Sequence, residues 1–232
     1  MYQLFLAILA CFLFFPVQIL SGEIVHLKFD GNLKDSAGER QGRAIGDPIS
    51  YTADRFGKSE SAVLLKKGSR ILLPDDKKLS FVKHGKPHPF TVEWFQCYDA
   101  DGEGVQVVVI QKNKEYRIAW NNMFRLSAED QSSKDRLSRS SKAVSLKHGE
   151  WTHVAVVFEN TGENGVRFYQ DGEAVPVMKD KVEKGGYRAM TPGKQPVVIG
   201  FNYEGALDDL VIHDRALSAD EIRQRAANTA QR

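Results

Sequence analysis

Trp151-Thr-His-Val-Ala-Val-Val-Phe158 and, after a short polar gap, Val166-Arg-Phe-Tyr-Gln-Asp-Gly172 decide the architecture of this chain. In the first stretch Thr152, Val154, Val156 and Phe158 alternate with Trp151, His153, Ala155 and Val157, the period of two that a strand requires. Both sets are largely apolar, so the strand is expected in the middle of a sheet with something packed on each face. The second stretch ends on Asp171-Gly172, a pair that tolerates the positive φ of a tight hairpin turn. A period-two run followed by such a hairpin signal reads as antiparallel β-structure.

The same punctuation recurs on both sides. Residues 23–29 alternate and stop at Asp30-Gly31-Asn32, and residues 69–73 end at Pro74-Asp75. Residues 90–96 place Phe90, Val92 and Trp94 on one face, and the apolar run 105–111 suits a strand buried on both sides. Residues 115–120 and 123–127 flank Asn121-Asn122, which reads as a two-residue hairpin turn. Residues 197–200 and 206–213 supply the last strands, and the serine-rich stretch 127–141 is expected as an exposed loop. The period changes only at Ser218-Ala-Asp-Glu221, a capping box that predicts a short helix over 219–227. Many short strands, one helix and no visible linker predict a single all-β domain over residues 23–232, a sandwich or barrel.

Composition narrows the functions. The chain has 232 residues, with 32 Lys+Arg against 30 Asp+Glu and 42% hydrophobic residues, enough apolar material for a real core. A formal net charge of +2 argues against a strongly basic surface, so nucleic acid is not an expected partner. Two cysteines build neither a disulfide scaffold nor an all-cysteine zinc site. Residues 1–22 hold no charged side chain, and a long apolar run is followed by Ser21-Gly22. That order reads as a secretory signal, with an uncleaved membrane anchor as the alternative and the only membrane contact expected. The rest of the chain is then secreted or held in the cell envelope, and with cleavage Cys97 is the one cysteine left.

Seven stretches carry a resemblance. They are Phe29-Asp-Gly-Asn-Leu-Lys-Asp-Ser36, Arg55-Phe-Gly-Lys58 with Ala62-Val-Leu-Leu65, Phe90-Thr-Val-Glu-Trp-Phe95 and Gly149-Glu-Trp-Thr-His-Val-Ala155. Phe168-Tyr-Gln-Asp-Gly172, Gly205-Ala-Leu-Asp-Asp-Leu-Val-Ile212 and Arg215-Ala-Leu-Ser218 follow. In this order the chain resembles a laminin-G-like jelly-roll domain of the concanavalin A-like lectin/glucanase superfamily. The resemblance implies a two-sheet antiparallel sandwich with adjacent N- and C-terminal strands and a short C-terminal helix. It also implies a structural calcium tying the turn after the first strand to the last strands. Carried over residue by residue, its ligands are Asp30 and Asn32 with Asp208 or Asp209. The alternative is that Asp30 and Asn32 make turn hydrogen bonds while the two aspartates point outward.

No catalytic pattern emerges, and the chain is not expected to be an enzyme. Asp99-Ala-Asp-Gly-Glu-Gly104 begins like an EF-hand loop, but its twelfth position is Ile110 where a bidentate Glu is needed. It is also similar to the acidic triad of laminarinase-type glucanases, yet Gly102 and Gly104 mark a turn, so a solvated tip is expected. Glu93 stands alone on its strand as a surface residue. His153 is expected as a hydrogen-bonded core histidine, His84 and His88 as loop residues, and Cys97 as a packed thiol. For a ligand, sugar rings call for a stacking aromatic beside amide or carboxylate partners. Trp120-Asn121-Asn122, Tyr203 and Tyr187 offer those types in predicted loops, the alternative being rings buried at the sandwich edge. The expected function is a secreted, non-catalytic, lectin-like carbohydrate-binding module. An extracellular protein-interaction or adhesion module is the second reading and a glycoside hydrolase the third.

Overall fold

The computed structural model describes residues 22–99, 107–113, 115–128, 137–159, 164–178 and 193–228. In chain order the strands begin with β1 (Glu23–Leu27), β2 (Arg43–Gly46), β3 (Ser50–Thr52), β4 (Ala62–Leu65) and β5 (Ser69–Leu73). The next are β6 (Val82–Lys83), β7 (Lys86–Pro87), β8 (Phe90–Tyr98), β9 (Val107–Lys112), β10 (Tyr116–Trp120) and β11 (Phe124–Ala128). The last are β12 (Leu137–Ser140), β13 (Trp151–Phe158), β14 (Val166–Gln170), β15 (Glu173–Val175), β16 (Val197–Phe201) and β17 (Gly205–His213), followed by helix α1 (Ala219–Asn228). β6 and β7 form a hairpin of their own.

Two large antiparallel sheets result. One has eight strands, ordered β15-β14-β13-β8-β17-β4-β3 with β1 also on β17; the other has seven, ordered β12-β11-β10-β9-β16-β5-β2. β13 is indeed interior, paired with β8 on one side and β14 on the other. The N-terminal β1 lies beside the C-terminal β17. Between the sheets, Phe90, Trp94, Phe158 and Phe168 meet Ile118, Phe124, Leu126 and Ile199, all fully buried. Each such side chain contributes about 1.5–3 kcal/mol by leaving water.

Two expectations are corrected. The β10–β11 turn has three residues, because Trp120 pairs with Phe124; Asn122 takes the positive φ of 52° and Asn121 N–H bonds Met123 O at 3.1 Å. The serine-rich stretch contains β12, which pairs with β11, while residues 129–136 lie outside the described residues. Its short hydroxyls are absorbed locally: Ser141 Oγ accepts from Phe124 N–H at 3.0 Å and Ser140 Oγ from Arg125 Nε at 3.1 Å. Low hydrophobicity hid an edge strand that needs little apolar surface.

The capping box forms as read. Glu221 N–H donates to Ser218 Oγ at 3.2 Å and Ser218 N–H to the Glu221 carboxylate at 2.8 Å. The chain just ahead of α1 and the helix itself bring Leu217 and Ile222 onto Ala155, Val157 and Tyr169, covering the outer side of the eight-stranded sheet.

Candidate functional site

Asp208 and Asp209 sit where β17 changes partner. Gly205–Leu207 pairs with β4, Leu210–His213 pairs with β1, and the register shifts between. Asp209 adopts a positive φ of 44° at this bulge. Arg55, from the loop between β3 and β4, reaches both carboxylates, bonding Asp208 and, at 2.9 Å, Asp209. His26 Nε2 lies 2.8 Å from Asp209, and the Arg55 guanidinium stacks 3.8 Å over the Phe95 ring. Both aspartates are buried. Burial, then the charge of Asp209, pushes Asp208 up to about 7 against the pull of Arg55.

Asp30 and Asn32 share one turn. Asn32 Nδ2 donates to Asp30 O at 2.7 Å, its Oδ1 accepts from Lys34 N–H at 2.8 Å, and Asp30 pairs with Lys58 at 3.1 Å. The structure thus joins the four predicted ligands two by two. Each carboxylate already faces a cationic side chain, and no group of three or more His, Cys, Asp or Glu able to hold a metal occurs among the described residues. A calcium held by Asp208 and Asp209 would have to displace Arg55.

The predicted sugar-stacking rings lie inward. Trp120 and Tyr203 both contact Tyr98, with ring centroids 4.6 and 6.0 Å apart, and Tyr203 Oη donates to Ala206 O at 3.0 Å. Trp120 is 9% exposed and Tyr203 1%. Trp120 shares the parity of Tyr116 and Ile118 along β10, so the strand's own alternation turns it to the core. Asn121 and Asn122 remain at the tip, and Asn121 lines a small pocket with Ala119, Met123 and Arg125. Tyr187 and residues 100–106 lie outside the described residues.

That pocket opens a face which the sequence reading passed over. The residues of opposite parity to the core on β5, β9, β10, β11 and β16 meet across the seven-stranded sheet. One cross-strand row runs Arg43, Leu72, Val198, Gln111, Arg117, Ser127 and Ser138. A neighbouring row runs Phe201, Val108, Ala119, Arg125 and Ser140. Arg70 lies 4.4 Å over the half-buried Phe201 ring. The signal was present in Tyr116-Arg-Ile-Ala-Trp120 and Phe124-Arg-Leu-Ser-Ala128, where an arginine alternates with core residues.

A second polar cluster lies beneath α1. Glu93, expected at the surface, is 3% exposed, with His213 Nε2 at 3.0 Å, His153 Nε2 at 3.4 Å and Arg225 Nε bonded to it. Arg225 also reaches Glu23 at 2.9 Å. Burial favours the protonated carboxyl, but the two histidine contacts and the Arg225 charge hold Glu93 well below the usual carboxylate range. The cluster is closed to a substrate and fastens the helix. Cys97 is half-buried, and burial followed by the Asp99 charge pushes its thiol up, away from nucleophilic character.

Comparison with known proteins follows the fold. A family model described as the concanavalin A-like lectin/glucanases superfamily matches residues 67–223. No curated protein matches the sequence. Domain 4 of AbnA, a GH43 extracellular arabinanase from Geobacillus stearothermophilus solved with arabinotriose, is similar at 20% identity and a TM-score of 0.65, covering 88% of this chain and 98% of that one. The binding domain of botulinum neurotoxin DC, solved with rat synaptotagmin II, is similar at 12% identity and a TM-score of 0.66, covering 90% and 52%. A botulinum neurotoxin type C structure, described as interacting with two ganglioside molecules, gives 13%, 0.65, 90% and 51%. The chain spans about half the length of the neurotoxin chains it matches, and at these identities the likeness is one of fold.

Proposed function

The chain belongs to the concanavalin A-like lectin/glucanase superfamily, and on that premise we propose that it is a non-catalytic module that binds carbohydrate on the outer face of its seven-stranded sheet. The observation that carries this reading is the half-buried Arg70–Phe201 stack, with Arg125 across two intervening strands in the same cross-strand row as Phe201. A flat ring suits the C–H face of a sugar, and arginine and glutamine donors suit its oxygens. Glycans bound by similar structures support it: arabinotriose on the arabinanase domain and gangliosides with the type C neurotoxin. Residues 1–22 support export. A structural calcium at Asp30, Asn32, Asp208 and Asp209 remains part of the proposal, as a competitor of Arg55 for the aspartate pair.

A protein partner is the second reading. It is favoured by Phe56, which is 45% exposed on the loop that carries Arg55, and by the synaptotagmin bound to the neurotoxin DC domain. The test is a polysaccharide and glycan panel probed with the full chain, in calcium and again in chelator. Binding to a coherent sugar class that weakens in Phe201→Ala, with an unchanged melting temperature, supports the reading. Silence from folded protein in both buffers sinks it and shifts the weight to a protein partner. Loss in chelator alone would tie the calcium proposal to binding.

A further inference from the structure

We infer that the open cavity inside the loop between β1 and β2 is a separate binding site, and that it takes a small sugar acid, a ligand with one carboxylate and several hydroxyls. The cavity has a volume of about 510 Å³ and is walled chiefly by Lys28, Asp30, Asn32, Lys34, Ser36 and Glu39. Ligand sites usually span about 300–1,000 Å³, so there is room for more than an inorganic ion. The cavity lies apart from the sheet face proposed above, and the two readings stand or fall separately.

The wall is built before any ligand arrives. Asp35 is fully buried beneath it and accepts from the N–H groups of His26, Ala37 and Gly38 at 2.9, 3.0 and 3.2 Å. Arg40 closes on the same carboxylate at 2.6 Å and on Asp76 at 2.9 Å. Gly38 is bare where a side chain would intrude: a Cβ there would stand 2.6 Å from Arg40 Nη1 and 2.8 Å from Asp35 Oδ2. Asn32 spans the turn, donating to Asp30 O and accepting from Lys34 N–H, and β-bridges join Leu27 to Asp35 and Lys34 to Gln41. A loop fixed by its own hydrogen bonds loses little entropy on binding, so contacts to a ligand are not offset by ordering it.

Charge names the ligand. Asp30 is matched by Lys58 at 3.1 Å and Asp35 by Arg40. The side chains of Lys28, Lys34 and Glu39 have no ion pair or hydrogen bond among the described residues, which leaves two ammoniums and one carboxylate around the opening. Lys28 is half-buried, where an ammonium without a counter-ion is disfavoured. A carboxylate shared by the two lysines answers both charges. Glu39 and Ser36, whose hydroxyl proton is already given to His26 O at 3.0 Å, then accept from sugar hydroxyls. The same wall argues against other classes. No apolar side chain lines it, so a hydrophobic ligand has nothing to bury against. It offers no guanidinium, and Glu39 repels a multiply charged phosphate, which favours a single carboxylate.

The test is amide chemical-shift mapping of the full chain in chelator. The probes are galacturonate and glucuronate, each beside its neutral parent galactose or glucose, with acetate and inorganic phosphate as plain anions. The expected result is saturable shifts over residues 28–39 with at least one sugar acid, at an affinity about fivefold or more above its parent and above acetate. Lys28→Met/Lys34→Met should lose about fivefold or more, whereas Lys77→Met/Lys78→Met, at exposed positions after β5, should lose nothing. Lys34→Met alone, at an exposed position, should weaken binding by less, which keeps the test usable if the double variant misfolds. Glu39→Gln should narrow the gap between sugar acid and acetate, a change that a purely ionic contact does not produce. Equal binding of the acid and its neutral parent would overturn the charge argument. Equal binding of acetate or phosphate would reduce the site to an anion trap and overturn the sugar. Saturable shifts around Phe201 alone would uphold the sheet face and sink the cavity, and folded protein without any shift sinks the cavity as well. Unchanged affinity in both variants that remove Lys34 would also overturn the site.

Discussion

Arg55 does for Asp208 and Asp209 what a metal ion does elsewhere for adjacent buried carboxylates: it supplies the positive charge that lets them lie together. Removing one partner of a buried ion pair leaves the other uncompensated, so Arg55→Met should cost about 3–5 kcal/mol in denaturant unfolding. Calcium should raise the melting temperature of that variant more than that of the wild type, since the competitor is gone. Equal stability of variant and parent would discard this account of the bulge. Asp208 carries a pH consequence as well. Its carboxyl is raised from 3.8 in the unfolded chain to about 7 in the fold, so the folded state holds the proton more tightly. The group therefore favours folding most at low pH, and its contribution declines as pH rises from about 4 through about 7 and is level above that. Asp208→Asn removes the decline: between about pH 5 and about pH 8 the wild type should lose stability relative to the variant. Parallel profiles would contradict the shift.

At the level of elements, α1 is held by more than its apolar side. Arg225 joins Glu93 on β8 and Glu23 on β1, and both histidines beside Glu93 approach it from β13 and β17. A carboxylate held below its ordinary value supplies stability that is complete above about 4.5 and is lost as pH falls through the folded value. Arg225→Met should speed amide hydrogen exchange along Ala219–Asn228 while leaving β9–β11 protected; uniform exchange along the chain would show that the contact does not act on the helix. The capping box, the Asp171-Gly172 turn and the central strand β13 were all legible in the sequence, because each is set by neighbours within a few residues. Glu93 was not legible. Its burial depends on Arg225, which stands 132 positions away in the chain. Trp120 likewise sits beside two asparagines that look like a loop, yet its strand parity, not its neighbours, decides where the ring goes. The arginine face was written in β10 and β11 as single alternating residues, and it became a face only once the strand order placed them side by side.

For the molecule as a whole, a formal net charge of +2 conceals a polarity. Cations gather in the strands of one sheet and carboxylates in those of the other, and the acidic sheet's outer side is the one capped by α1. The buried carboxylates are met at contact distance, Asp208 and Asp209 by Arg55 and Glu93 by Arg225, in places held out of water. Charges left exposed are screened beyond about 10 Å at moderate ionic strength, and a net charge this small leaves little self-repulsion for salt to relieve. Raising sodium chloride from about 0.05 M to about 0.5 M near neutral pH should therefore move the melting temperature by no more than about 4 °C, the equivalent of about 1 kcal/mol in a chain of this length. A large rise would mean that like charges on the arginine-bearing strands repel across their sheet. A large fall would mean that long-range attraction between the two sheets, and not the buried contacts, holds the molecule together.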